Sequence, residues 1–280
     1  MFTDTKGDNR SSEINIEHGM LGKKVWKMNS FSRKSKKLAR NIISFVGLGL
    51  LSSQALGYGF VPTEAEYHAW PDYCKLVYSR TTIGESVGRN RVSAEVAANG
   101  APFLGDRPFG PGGVHHFCAG RAWFQRAQLE MDPREYDRMI RQAVRETTFT
   151  YNRIDASTPL YVDVSVHMAR VLYERGEVDR ALRTLDETIE AVPNHPAPYS
   201  LKGILLYRED RMSEAVTVLN DGNQRSQGQN AEIHYNLGLI LLEMKKTDVA
   251  LAHGKQAYAL GYPLPGLKRR LQRAGVWEEG

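Results

Sequence analysis

The chain has 280 residues, of which 25% are charged and 41% hydrophobic, and its formal net charge is +5. This composition is that of a folded protein and excludes a disordered tail or a fibre. The length allows one large domain or two small ones. A pI of 9.1 raises the question of a polyanionic partner, which depends on where the basic residues lie.

The first predicted element is a leader over residues 1–57. A ten-residue apolar run, 42–51, follows five basic residues, and Ser53, Ala55 and Gly57 offer small residues for cleavage, which is the pattern of a secretory signal peptide. The run spans about 15 Å as a helix, roughly half of a bilayer core. Cleavage and a periplasmic location are therefore predicted; the alternatives are an inner-membrane anchor facing the periplasm and a buried core helix.

The start of translation is predicted to lie inside this leader. The sequence before Lys23 is polar and too long for an ordinary n-region, whereas Met28 opens a well-formed one. Translation is therefore expected to begin at Met28 or at Met20. A secreted-precursor peptide from residues 1–19 would contradict this.

The basic excess is confined to the leader. Residues 1–55 contain ten Lys or Arg and four Asp or Glu, a net of +6, which leaves 27 positive and 28 negative residues in the remainder. The remainder thus carries a net charge of −1, and its charges alternate as they do on solvated helix faces. No nucleic-acid partner is expected, and membrane contact is expected only through an uncleaved leader.

Residues 58–155 are predicted to form an irregular helical extension. Five Gly and three Pro between 99 and 113 indicate a loop. Asp132 and Pro133 form a good start signal for a helix. Helices are expected at 64–78 with a break at Pro71, at 115–128 and at 134–151.

The two cysteines, Cys74 and Cys118, both follow the leader. In an oxidising compartment such a pair usually forms a disulfide. Closing a loop of about 45 residues would stabilise the fold by roughly 4 kcal/mol if the effect is one of chain entropy. A disulfide between Cys74 and Cys118 is therefore predicted.

The alternative for this region is a metal or haem site formed by His115, His116 and Cys118, near His68. Imidazole and thiolate suit zinc or copper. However, adjacent histidines are expected to point to different sides of a helix, and the sequence contains no Cys-x-x-Cys-His motif. No cofactor is therefore expected, and a metal- or haem-handling periplasmic protein remains the second hypothesis.

No catalytic motif stands out. The glycine-containing segment from Gly84 to Gly88 is not followed by the Lys-Ser/Thr pair of a P-loop. The sequence also contains neither the Gly-x-Ser-x-Gly motif of a serine hydrolase nor a His-Glu-x-x-His motif. The carboxylates are scattered, so a catalytic pair cannot be selected. The chain is therefore predicted not to be an enzyme.

The C-terminal half contains an internal repeat. Ala181, Ala215 and Ala250 are spaced by 34 and 35 residues, and the same register superimposes Leu185 on Leu219. Over roughly 105 residues this pattern resembles the tetratricopeptide repeat family. The resemblance implies an all-α solenoid of stacked helical hairpins. The residues that carry it are Gly176, Ala181, Leu185 and Pro193, then Tyr199, Gly203, Ala215 and Leu219, then Tyr235, Asn236, Leu237, Gly238, Leu241, Ala250 and Ala257.

The resemblance divides residues 156–280 into three repeats and a cap. The repeats are expected at 162–195, 196–230 and 231–264, and an amphipathic cap helix at 267–274. The polar stretch 221–229 is expected to be a long loop and a looser joint between the second and third repeats. Trp70-Pro71-x-Tyr73-Cys74 and His115-His116-Phe117-Cys118-x-Gly120 also resemble a group of exported bacterial tetratricopeptide proteins, for which no activity is implied.

The resemblance further implies a concave groove that takes an extended or helical segment of a partner protein. The expected function is a scaffold in envelope assembly, such as secretion, pilus or polysaccharide machinery. Stacked Tyr173 and Tyr207 are expected to anchor the partner. The alternatives are that they cover neighbouring helices or that the N-terminal segment of the same chain fills the groove. The Lys/Asn/Arg set that clamps a terminal carboxylate in some family members is absent. The family's groove positions fall on Val166, Arg170, Tyr173, Ser200, Ile204, Tyr207, Tyr235, Asn236, Leu239 and Glu243.

Overall fold

The computed structural model describes residues 60–277, so the predicted leader and its start codons lie outside the described residues. All regular structure in 60–277 is helical, which confirms the all-α fold class. No helix in this range has both the length and the apolar character to cross a membrane. The helices are α1 (Glu64–Ala69), α2 (Asp72–Ser79), α3 (Thr82–Ser86), α4 (Ala94–Leu104), α5 (Val114–Leu129), α6 (Pro133–Tyr151), α7 (Tyr161–Glu174), α8 (Val178–Ala191), α9 (Pro196–Arg208), α10 (Met212–Arg225), α11 (Ala231–Glu243), α12 (Thr247–Ala259) and α13 (Gly266–Arg273).

Helices α7 to α12 form three stacked antiparallel hairpins. The first helices, α7, α9 and α11, pack directly against one another, whereas each second helix packs on the first helix of its own hairpin and of the next. Because the first helices approach more closely than the second helices, they form the inner, concave layer of the array. Helix α13 packs on α11 and α12 and covers the end of the stack.

The turn inside each hairpin has the same backbone geometry. Gly176, Asp210 and Lys245 all have positive φ, at 87°, 63° and 64°. In each turn the following residue donates its backbone N–H back to the end of the first helix, as in Glu177 N to Leu172 O at 2.9 Å. This is the left-handed C-terminal cap, which favours glycine. Of the three turns, only the first has a glycine at this position.

The N-terminal extension contains more helix than predicted. The expected loop 99–113 is wrong over its first part, because α4 begins at the Ser93 cap and continues through Pro102 to Leu104. Helix α4 packs on α2, and a Cβ at Gly100 would lie 2.8 Å from the carbonyl oxygen of Asp72. Here glycine permits two helices to touch, so its presence did not mark a loop.

The predicted disulfide is confirmed. Cys74 in α2 and Cys118 in α5 are bonded, with their Cα atoms 5.7 Å apart and both side chains fully buried. The bond lies in the apolar core of the extension, beside Trp70 and Phe117. Since α5 also packs on α7, the bridge attaches α2 to the helix that adjoins the repeat array.

The expected long loop at 221–229 is likewise wrong over its first part, and only 226–229 lie outside a helix. Helix α10 runs to Arg225, and Gly222 is buried inside it. A Cβ at Gly222 would lie 2.5 Å from the Cβ of Tyr199, so the missing side chain allows α9 and α10 to pack closely. The same Cβ would lie 3.1 Å from Ile233 Cδ1 in α11, so the second and third repeats also pack closely at this point.

Candidate functional site

The concave surface consists of the inner faces of α7, α9 and α11. Of the predicted groove residues, Val166, Arg170, Ile204 and Glu243 are half-buried and retain accessible surface. The remaining six are buried. A partner segment lying on this surface would therefore meet a smaller set of side chains than the sequence predicted.

The two predicted tyrosine anchors are used inside the array. Tyr173 is 8% exposed and donates its hydroxyl proton to Glu209 at 2.8 Å. Tyr207 is 7% exposed and bonds to Glu243 in the same way. Burial raises the pKa of both tyrosines, and the carboxylate beside each raises it further. Both side chains thus connect successive repeats, as expected if these tyrosines cover neighbouring helices and do not anchor a partner.

The third-repeat residues are also internal. Asn236 has no exposed surface and donates its side-chain amide to the Ser200 hydroxyl at 3.0 Å, so it does not face a peptide backbone. Tyr235 is 1% exposed and stacks on Tyr262, with ring centroids 4.2 Å apart. Leu239 is 1% exposed. These residues build the floor of the surface and do not line its open side.

Helix α5 packs on α7 and continues the inner layer at its N-terminal end. Four ionisable residues of α5, α7 and α11 were not predicted as part of the site: Arg121, Asp163, His167 and Glu232. Burial raises the pKa of the Asp163 and Glu232 carboxyls and lowers that of His167 well below its usual value. Arg121 donates to the Tyr73 hydroxyl at 3.0 Å. The signal in the sequence was the position of Arg121 directly after Gly120, as Arg170 follows Ala169, on consecutive inner helices.

The disulfide removes the thiolate from the alternative metal site, because Cys118 is bonded to Cys74. The expectation that His115 and His116 point apart is wrong, since their ring centroids are 4.4 Å apart. His116 instead lies 2.7 Å from Glu146, and burial lowers the pKa of His115 to about 4. Within residues 60–277, no three His, Cys, Asp or Glu side chains are grouped so as to hold a metal ion.

The family comparison agrees with the hairpin geometry. The model of the tetratricopeptide repeat family matches residues 167–227, from the middle of α7 to the turn after α10. The predicted resemblance to this family is therefore confirmed, and residues 167–227 contain tetratricopeptide repeats. No curated protein matches the chain in sequence.

Several solved repeat proteins resemble the fold at low identity. MamA AMB-1 is 19% identical and the match covers 58% of this chain and 82% of that one, with a TM-score of 0.39. YrrB, described as a TPR protein with an unusual peptide-binding site, is 16% identical over 59% and 74%, with a TM-score of 0.39. TTC0263, a thermophilic TPR protein of Thermus thermophilus, is 17% identical over 58% and 92%, with a TM-score of 0.40. Likenesses of this size carry no argument about function.

Proposed function

We propose that the protein is an exported, non-enzymatic scaffold of the periplasm that binds a segment of a partner protein on its concave surface. The observation that carries the proposal is the match of residues 167–227 to the tetratricopeptide repeat family, whose arrays bind proteins. The inner layer of α7, α9 and α11 offers the surface for it. Envelope assembly, in secretion, pilus or polysaccharide machinery, is the process proposed.

The periplasmic location rests on the signal-peptide pattern and on the disulfide. A buried Cys74–Cys118 bond is stable in an oxidising compartment and rare in the cytosol. Osmotic-shock fractionation of cells that express the full chain with a C-terminal tag tests the location. We expect the tag in the periplasmic fraction with residues 1–57 removed; a cytoplasmic protein with two free thiols would contradict the proposal.

Site-specific photocrosslinking tests the surface itself. A photoreactive amino acid replaces Ile204, which is half-buried on the inner helix α9. The matched control replaces Thr217, which is exposed on the outer helix α10 of the same repeat. We expect a discrete adduct in native cells from position 204 only, and equal adducts from both positions would remove the concave surface from the proposal.

A further inference from the structure

Arg170 is a half-buried cation on α7, the first inner helix of the concave surface. It lies in the third turn of α7 and forms no hydrogen bond or ion pair with any side chain in residues 60–277. Burial, together with the positive charges of Arg121 and Arg208, lowers the pKa of its guanidinium to about 10, against the opposing effect of the Glu232 carboxylate. Its five N–H groups therefore have no acceptor among the described residues, and none of its nitrogens is fully buried, so they remain accessible to a ligand.

The acidic groups near Arg170 form no ion pair with it within residues 60–277. Glu174 accepts from Tyr136 at 2.9 Å and lies 3.4 Å from Arg208. Burial raises the pKa of the Glu232 carboxyl and so favours its neutral form. The charges of both carboxylates nevertheless favour the cationic form of Arg170.

Arg121 adds a second cation on the neighbouring inner helix. One of its N–H groups donates to Tyr73, and its charge acts on both Arg170 and His167. His167 is 8% exposed, and burial together with these two cations keeps it neutral. Its Nε2 has no partner within the described chain. Asp163 also faces Arg121, but burial favours its protonated form.

We propose that Arg170, with Arg121, binds the carboxylate of an acidic side chain in the partner segment. A guanidinium fork matches a carboxylate in geometry and charge and bonds it through two N–H groups. The bound carboxylate would supply the acceptor that Arg170 lacks and would reduce the repulsion between the two guanidiniums. This inference rests on the proposed function, because it specifies the chemistry of the segment on the same surface.

The test uses the full chain and an array of random twelve-residue peptides, each present with a free and with an amidated C-terminus. We expect the protein to enrich peptides with Asp or Glu at a fixed position, irrespective of amidation. Arg170→Gln is expected to weaken the best peptide roughly tenfold or more and to abolish the acidic preference. Arg170→Lys should retain part of both. Arg183→Gln, an exposed change on the outer helix α8, is the matched control and should change neither.

A thermal unfolding measurement separates this role from a structural one. Replacement of an unpaired half-buried charge by Met is expected to leave the unfolding temperature of Arg170→Met equal to that of the wild type or higher. A large fall would show that Arg170 holds the array together and would overturn the inference. Binding without acidic preference, or binding lost on amidation, would also overturn it while leaving the scaffold proposal intact. No binding to any peptide would contradict the inference, and the crosslink from position 204 would then decide the scaffold proposal separately.

Discussion

The hydroxyl of Tyr173, at the end of one inner helix, donates a hydrogen bond to Glu209, which lies just beyond the end of the next. The relationship recurs one repeat later between Tyr207 and Glu243. In both pairs the tyrosine precedes its carboxylate by 36 residues. The repeats are thus joined by matching polar contacts in addition to their apolar core.

Tyr173→Phe should lower the free energy of unfolding by about 1–2 kcal/mol, because Glu209 loses a charge-assisted hydrogen bond in a partly buried setting. Urea unfolding followed by circular dichroism measures the change. Tyr161→Phe is the control, since the Tyr161 hydroxyl makes no hydrogen bond within the described residues. Equal effects of the two substitutions would argue against the pairing.

Lys245→Gly should stabilise the protein by roughly 0.5–1 kcal/mol. Lys245 is exposed and has a φ of 64°, a conformation that costs a residue with a Cβ more than it costs glycine. Gly176 already occupies the corresponding turn of the first repeat. The neighbouring Lys246→Gly, where φ is −89°, should destabilise, and calorimetry of both variants checks the sign of each effect.

Gly222→Ala should destabilise by about 1–3 kcal/mol, because the added methyl group would lie 2.5 Å from Tyr199 Cβ and the helices would have to separate. The intrinsic helix preference of alanine, about 1 kcal/mol over glycine, opposes this effect. Asn220→Ala on the exposed side of α10 measures a change in helix preference without the overlap. A stabilised Gly222→Ala variant would mean that α9 and α10 have room for a side chain between them.

Reduction of the Cys74–Cys118 disulfide should lower stability by roughly 2–4 kcal/mol, since the bridge closes a loop with a sequence separation of 44 residues. The chain contains no other cysteine, so a reductant changes nothing else. Denaturant unfolding with and without reductant, accompanied by thiol titration, measures the effect. Two titratable thiols in the untreated native protein would contradict the bond.

Stability should fall as the pH is lowered from about 7 towards 4. His234 Nε2 donates to the Gly228 carbonyl at 3.1 Å, so its Nδ1 accepts from His253 Nδ1 at 2.8 Å. Burial and the neighbouring His234 lower the pKa of His253 to about 4, from an ordinary value of 6.5. Because the unfolded chain then binds more protons than the folded one between these values, the stability that this residue contributes, on the order of 1–3 kcal/mol, is lost as pH falls through that window.

His253→Gln should therefore flatten the dependence of the unfolding free energy on pH between 6.5 and 4. The slope is the quantity to compare, because the substitution also removes a hydrogen bond at every pH. His68→Gln, at an exposed histidine that pairs only with Glu64 on the surface, is the control and should keep the wild-type slope. An unchanged slope in His253→Gln would assign the acid sensitivity to other histidines.

The repeat half of the fold could be predicted because each hairpin buries the same small and large residues at a fixed period, as at Ala181, Ala215 and Ala250. The extension could not, because Gly100 and Pro102 occur inside a helix whose close packing on α2 is a tertiary effect. The predicted groove residues do lie on the inner helices, but the sequence did not indicate that six of the ten are buried. Tyr262, which follows α12, stacks on the ring of Tyr235. The exposure of Tyr235 to a ligand therefore depends on a residue from another part of the chain. The 36-residue spacing of Tyr173 and Tyr207 from their glutamates was the signal that could have assigned those tyrosines to the array.

The bond between Cys74 and Cys118 encloses α3, α4 and the glycine-rich turns that follow them. A protease that cuts the backbone anywhere between these two cysteines would leave both pieces covalently attached. The nicked protein would migrate as a single species on a denaturing gel until a reductant is added. A protein with this bridge can therefore survive a cut in its most irregular region without releasing its N-terminal part.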